Sequence, residues 1–282
     1  MQLAVITDEI DADLDHALAV MGEYGVKNAE LREIWDKNIS EATPQEWQRA
    51  KDVLAKHGAK VVGIASPFYK CDLPGIVADG PVGPLHSASA RGLGDQIALL
   101  EHCIEAARFF DTNLIRVFSF WKRGSLTPEI EEQIVDAFAE PAALAEREGI
   151  ILGLENEHSC YLGTGAQTAR VLEKINSSAV RAVWDPGNAF FGGEAPFPMG
   201  YEAIKDFVVH VHVKDAFVQT GAAQPEWTVV GAGQIDWAGQ VAALRATGYA
   251  GYLSLETHYS GGGSKEASSR QCLEGLRQLV GK

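Results

Sequence analysis

Short apolar runs rich in β-branched residues recur along the chain, each followed by a polar loop and a stretch with apolar positions at helical spacing. The runs at 3–7, 29–32, 60–65, 114–118, 150–155, 180–185, 208–214 and 252–256 are predicted strands. Segments 14–24, 44–57, 94–110, 128–148, 165–175, 201–207, 237–247 and 265–280 are predicted helices. The punctuation agrees. Thr43-Pro44 and Thr127-Pro128 set a capping hydroxyl before a proline at the first helical position. Gly25, Gly58, Gly149 and Gly248 stand where helices would end. Mostly apolar strands alternating with helices imply a parallel sheet covered by helices. Eight such units predict an α/β fold, a closed (β/α)8 TIM barrel forming a single domain over residues 1–282. An open doubly wound sheet is the rival, but Thr7-Asp8-Glu9-Ile10 stands where a G-x-G-x-x-G turn would follow the first strand.

Composition narrows the function. With 46% hydrophobic and 22% charged residues the chain can bury a large core. A net charge of −14 opposes nucleic acid as a partner, because phosphate-backbone affinity needs clustered Lys and Arg. No apolar run approaches the roughly 18 residues of a membrane span. Cys71, Cys103, Cys160 and Cys272 are too scattered for a zinc knuckle or a disulfide framework. The first twenty residues are acidic and lack a cationic leader, so a cytoplasmic protein is expected. Long loops at 66–93, 186–200 and 216–234 follow strand ends, where barrel enzymes build their sites, and suggest lids over a small molecule.

Alternation along the strands places the chemistry. Glu155, Asp185 and Glu256 each fall at a strand end with inward parity, and on the seventh strand His210, His212 and Lys214 share the inner face. Three inward acids on neighbouring strands would repel one another without a cation. Oxygen ligands with one imidazole suit Mn²⁺ first, with Mg²⁺, Co²⁺ or Zn²⁺ as alternatives. Either histidine satisfies this parity.

The motifs LGLENEH, WDPGNA, HVHVKD and LSLETH resemble those of the xylose-isomerase-like TIM-barrel superfamily, over nearly the whole chain and most closely across 150–258. Its members include sugar isomerases and epimerases, inosose dehydratase and endonuclease IV. The resemblance implies a divalent ion held by Glu155, Asp185, His212 (the second histidine of H-x-H) and Glu256, with the two glutamates also serving as acid and base. It implies a sugar isomerase or epimerase that abstracts a proton beside a metal-chelated carbonyl through an enediolate. The alternative is a lyase or dehydratase on a keto-sugar or keto-glycoside, starting from the same abstraction. An apurinic endonuclease is distant, since it needs more histidine ligands and a DNA-binding face. A catalytically silent barrel is opposed by the four retained ligand types. The expected partner is a small sugar, with neither nucleic acid nor membrane, and a homo-oligomer is expected because superfamily members are often dimers or tetramers.

Lys214, Glu157, His158, Asn188 and Arg32 are candidate substrate-binding residues. Lys214 could neutralise a substrate oxyanion or pair with Asp215; Arg32 could grip a carboxylate or phosphate, or pair with Glu30 or another inward acid. Asn188 stands where ketose epimerases commonly place a histidine, and it can hydrogen-bond a hydroxyl but cannot shuttle a proton. His210 is expected as a hydrogen-bonded core histidine and Arg116 as part of a buried pair. Phe68, Phe118, Trp121 and His86 are candidate pocket walls, although core packing competes. Gly231-Ala232-Gly233 marks a place where an anion could rest, and 261–264 reads equally as a hinge or an anion nest.

Overall fold

A computed structural model describes residues 1–76 and 93–281. Eight parallel strands close into a barrel in chain order. They are β1 (Gln2–Ile6), β2 (Asn28–Leu31), β3 (Lys60–Ala65), β4 (Leu114–Val117), β5 (Ile151–Glu155), β6 (Val180–Trp184), β7 (Val208–Val213) and β8 (Tyr252–Leu255). The predicted α/β barrel and its strands are thus observed, with ends displaced by a residue or so.

Alternate positions on each strand serve two different cores. Leu152, Leu154, Val211, Val213, Leu253 and Leu255 are fully buried and belong to the apolar layer packed with the helices. The opposite parity fills the barrel, where space is tight. A Cβ on Gly153 would come within 2.6 Å of Val183 Cγ2 and 3.0 Å of Leu114 Cδ1. Local signals hold the outer helices. Thr43 and Glu46 form a reciprocal capping box on helix Pro44–His57, and Gly58 ends it in the left-handed conformation at φ 60°.

Three stretches depart from expectation. The predicted helix over 128–148 is two helices, Pro128–Ala137 and Ala139–Glu148. Pro141 has no N–H to give the Ala137 carbonyl, and the Tyr69 hydroxyl donates to that oxygen instead, at 2.7 Å. The expected loop at 186–200 begins as helix Pro186–Phe191, because Asp185 caps it by accepting from the Asn188 N–H at 2.7 Å. The loop at 216–234 contains a two-stranded hairpin, Asp215–Phe217 with Glu226–Thr228. Much of the loop after β3, including His86, lies outside the described residues. Among the described residues no helix is long and apolar enough to cross a membrane.

Candidate metal centre and active site

The ends of β5 to β8 bring together the four residues expected as ligands. One ligand atom each from Glu155, Asp185, His212 and Glu256 lie within 4.8 Å of one another, and all four residues are buried. His212 Nδ1 faces this cluster, 3.0 Å from Glu155 Oε1 and 3.5 Å from Glu256 Oε2. Its Nε2 points the other way, 3.1 Å from Glu30 Oε1. Glu30 also accepts from His210 Nε2 at 2.9 Å and Ser254 Oγ at 2.6 Å. His210 is therefore the expected core histidine, lying on the far side of Glu30 from the cluster. The Glu30–His212 contact is the carboxylate–histidine arrangement that orients a metal-binding imidazole.

Two buried oxygens in the cluster, Glu155 Oε2 and Asp185 Oδ2, accept no hydrogen bond among the described residues. The Lys214 ammonium lies 2.9 Å from Asp185 Oδ2, but off the hydrogen-bonding direction. Anionic oxygens without aligned donors, beside an imidazole nitrogen, are the donor set of a divalent cation. The residues present therefore fit such an ion. Asn156 positions one ligand from its backbone, giving Nδ2–H to the Asp185 carbonyl and accepting from the Asp185 N–H, both at 2.8 Å.

Cations close the mouth. Lys214 donates to Glu256 Oε2 at 2.6 Å and does not pair with Asp215. Asp215 instead accepts from the Gly231 and Gly233 N–H groups at 2.8 and 3.1 Å, so the glycine turn where an anion could rest holds the chain's own carboxylate. Arg32 does not pair with Glu30; its guanidinium binds Asp8 Oδ2 at 2.6 Å, Glu9 Oε1 at 2.5 Å and Glu256 Oε1 at 3.1 Å. Asp8 and Glu9 follow β1, and their link to Arg32 was not legible in the sequence. Arg116 is buried as expected, with one nitrogen 3.5 Å from Glu155 and another donating to the Ala65 and Ser66 carbonyls at 3.3 Å.

Burial drives the titration, and the neighbours decide its direction. Desolvation pushes Asp185 up to about 7, aided by the charges of Glu155 and Glu256 against that of Lys214. For Glu256 burial also raises, but Lys214 and His212 prevail and hold the carboxyl well below its ordinary range. Burial opposes charge on His212, yet Glu30 and Glu155 raise it well above the usual imidazole value. His258 is pushed down to about 4, by burial and then by Lys214.

A cavity of about 250 Å³ opens on Glu256. Its walls include Arg32, Glu157 and His158 among the expected residues. Glu157 is buried, not a solvated rim residue, and accepts from Ser159 N and Oγ at 3.1 Å. His158 Nδ1 lies 3.1 Å from both Glu157 Oε1 and Asn188 Oδ1. Burial works against its charge, but Glu157 prevails and raises it. Asn188 bridges inward, its Nδ2 3.3 Å from Glu155 Oε1. Of the aromatic candidates, Phe68 packs in the core, while Phe118 and Trp121 lie under the Lys70 ammonium at 4.5 and 5.5 Å from its nitrogen.

Lys70, Trp227 and His258 also line the cavity and were missed. Trp227 stacks on Phe191 with ring centroids 3.9 Å apart, brought there by the hairpin in the loop after β7. Its position depends on a fold of the loop that strand parity does not report. His258 could have been read from the parity of Glu256, two residues earlier.

The sequence family described as xylose isomerase-like TIM barrel matches residues 18–279, and the chain belongs to it. Inosose dehydratase of Geobacillus thermodenitrificans (strain NG80-2) is 27% identical over 154 residues, 49% of this chain and 50% of that one. The aligned region thus spans about half the length of that curated relative. Among solved structures, a probable 3-DHS dehydratase from Bacillus anthracis superposes with TM-score 0.75 at 15% identity, covering 98% of each chain. The IOLI protein with a bound zinc atom superposes with TM-score 0.76 at 15% identity, covering 99% of this chain and 98% of that one. These neighbours share the fold.

Proposed function

We propose that the protein is a divalent-metal-dependent sugar isomerase or epimerase that removes a proton from the carbon beside a substrate carbonyl. The observation that carries this reading is the pair Glu155, at the end of β5, and Glu256, just after β8, within one 4.8 Å cluster with Asp185 and His212. Glu155, Asp185, His212 and Glu256 would hold the ion, with Mn²⁺ the first candidate. A bound divalent ion supplies a Lewis acid that draws charge from the carbonyl oxygen.

The side chains of the cluster do the rest. Glu256 is held as a carboxylate by Lys214 and Arg32, so it can accept a proton at Oε1 or Oε2. Glu155 comes from three strands away around the barrel and can give or take a proton from a different side. Lys214, 2.6 Å from Glu256 Oε2, would neutralise negative charge that develops on a substrate oxygen beside the cluster. His158, oriented by Asn188, can hydrogen-bond a hydroxyl in the cavity, and Trp227 excludes water over it.

A second reading, loss of water from a keto-sugar, has its own observation. Glu157 favours the protonated form of His158 at the cavity wall, where it can donate to a departing hydroxyl. The inosose dehydratase relative accords with it. Incubation with keto-sugars in deuterated water separates the two. Label at carbon with an intact skeleton supports isomerisation, and release of water supports elimination. A wild-type protein that holds no metal after supplementation, or Glu155→Gln and Glu256→Gln variants that still exchange the proton, would sink both.

A further inference from the structure

Three of the cations at the mouth are engaged: Arg32 with Asp8, Glu9 and Glu256, Lys214 with Asp185 and Glu256, and Arg116 with Glu155 and two carbonyls. Lys70 is different. It is buried, with 8% of its surface exposed, and it lines the same cavity as Glu256. Among the described residues its ammonium has no carboxylate within 4.0 Å and no carbonyl partner. It rests on the rings of Phe118 and Trp121, at 4.5 and 5.5 Å. Glu157, across the cavity, is already taken up by Ser159 and His158. Against the burial of Glu157, and with His158, the Lys70 charge helps hold that carboxylate ionised. A desolvated ammonium that donates no hydrogen bond to an anion is still costly unless a further anion reaches it.

The position is built, not a chance side-chain pose. Tyr69 adopts φ 60°, a conformation a non-glycine residue keeps only when its surroundings impose it. Its ring stacks between Phe68 and Phe120 with centroids 4.0 and 4.3 Å away, and its N–H is given to Gln96 Oε1 at 2.8 Å. Phe68, Tyr69 and Cys71 carbonyls accept from Phe118, Phe120 and Trp121 N–H groups, each at 2.9 Å. The loop after β3 is thereby laced to the loop after β4, and the lacing presents Lys70 to the cavity with its two buried rings against the ammonium. Arg116, which lines the same cavity, has a buried Nε without a partner among the described residues, and its guanidinium lies 4.5 Å from the centroid of the same Phe118 ring.

We propose that Lys70, with Arg116, forms an anion subsite in the cavity next to the four-residue cluster, so that the substrate is a polyhydroxylated acid, carrying a carboxylate, and not a neutral sugar. This rests on the metal-site reading above for the direction in which the substrate lies. A carboxylate fits better than a phosphate, because the cavity is small and offers two cations and not a ring of amide donors. The carboxylate accepts from the ammonium and from the free Nε–H of Arg116, and Phe118 and Trp121 keep water from the pair.

The test uses the whole metal-supplemented protein and matched probes: D-gluconate against D-glucitol, quinate against its methyl ester, and inorganic phosphate. Calorimetry reads binding, and elemental analysis reads metal content. Each acid should bind about tenfold or more tightly than its neutral partner, the ratio a charge-assisted hydrogen bond supplies. Lys70→Met should bring that ratio close to one, while Lys70→Arg keeps it and metal content stays unchanged in both. Equal binding of acids and neutral partners by the wild type overturns the proposal, whatever the variants do. So does a preference that survives Lys70→Met, which would place the carboxylate on the ion. Phosphate binding tighter than both acids overturns the carboxylate assignment. A wild type that holds no ion but still prefers acids refutes the metal reading and leaves the subsite standing.

Discussion

Glu30→Gln is the perturbation that best separates how the barrel is held together from what its mouth can bind. Glu30 accepts three hydrogen bonds in the barrel interior, from His210, His212 and Ser254, at 2.9, 3.1 and 2.6 Å. Glutamine keeps the shape and one acceptor oxygen but replaces the other oxygen with a donor. That NH₂ must then face one of the two imidazoles or the Ser254 hydroxyl. Bonds to a charged group contribute about 1.5–3 kcal/mol each, and breaking a buried ion pair costs about 3–5 kcal/mol. Since Gln retains part of the set, we expect a loss of about 2–4 kcal/mol in folding stability, read by chemical denaturation. The ligand effect should be separate. Losing the carboxylate behind a metal-binding imidazole weakens metal affinity by roughly 10–100-fold. Competition against a chelator at fixed pH measures it, on protein kept well below its denaturation midpoint. If the variant loses stability while its metal affinity stays within twofold of wild type (the comparison that decides it), Glu30 is only a core residue and the orientation argument for His212 is wrong.

Other outcomes follow from the same contacts. Gly153→Ala should destabilise by about 1–3 kcal/mol through overpacking against Val183 and Leu114, and Val183→Ala in the same chain should recover part of the loss; thermal unfolding of the two variants decides it. Glu46 is held down to about 2 by Lys37 and Thr43, so its contribution is present above the usual glutamate range and fades as pH falls from about 4.5 towards 2. A Glu46→Gln variant should therefore lie below wild type in melting temperature at pH 6 and converge with it near pH 2; a constant gap refutes the capping-box account. Adding Mn²⁺ to chelator-treated protein should raise the melting temperature, with about 2.7 kcal/mol of added stability at a hundredfold excess over the dissociation constant, and no shift would speak against a folded-state ion site.

What the sequence carried of this site is what strand alternation can carry. Glu155 and His212 sit on strands, and Asp185 and Glu256 just past strand ends, where the period of two fixes which side chains enter the barrel, and register then brings the four to one place. Inward parity also marked Glu30, but not its partners. The contact to His210 joins residues 180 apart, across the barrel, and depends on strand stagger. Arg32 and Lys214 were placed correctly at the mouth, while their counter-ions were not, because a flexible cation chooses among several inward acids by distances no pattern encodes. Loop residues fared worst. Asp215 closing on Gly231 and Gly233, Trp227 carried in by a hairpin, and Lys70 seated on two rings all rest on contacts between separate loops. Pro141 was visible and its consequence readable: a proline three residues into a helix deprives the carbonyl four positions back.

The Lys214 ammonium between Asp185 and Glu256 has a consequence for how the protein is made and handled. With Lys214, Arg32 and Arg116 already set against the acids at the mouth, their mutual repulsion is countered inside the folded chain itself. Acquiring the barrel fold and acquiring an ion are then two separate events, unlike a zinc finger, whose fold waits for its metal. On the proposed reading, the metal in a purified sample should follow the supply in the growth medium as much as the preference of Glu155, Asp185, His212 and Glu256.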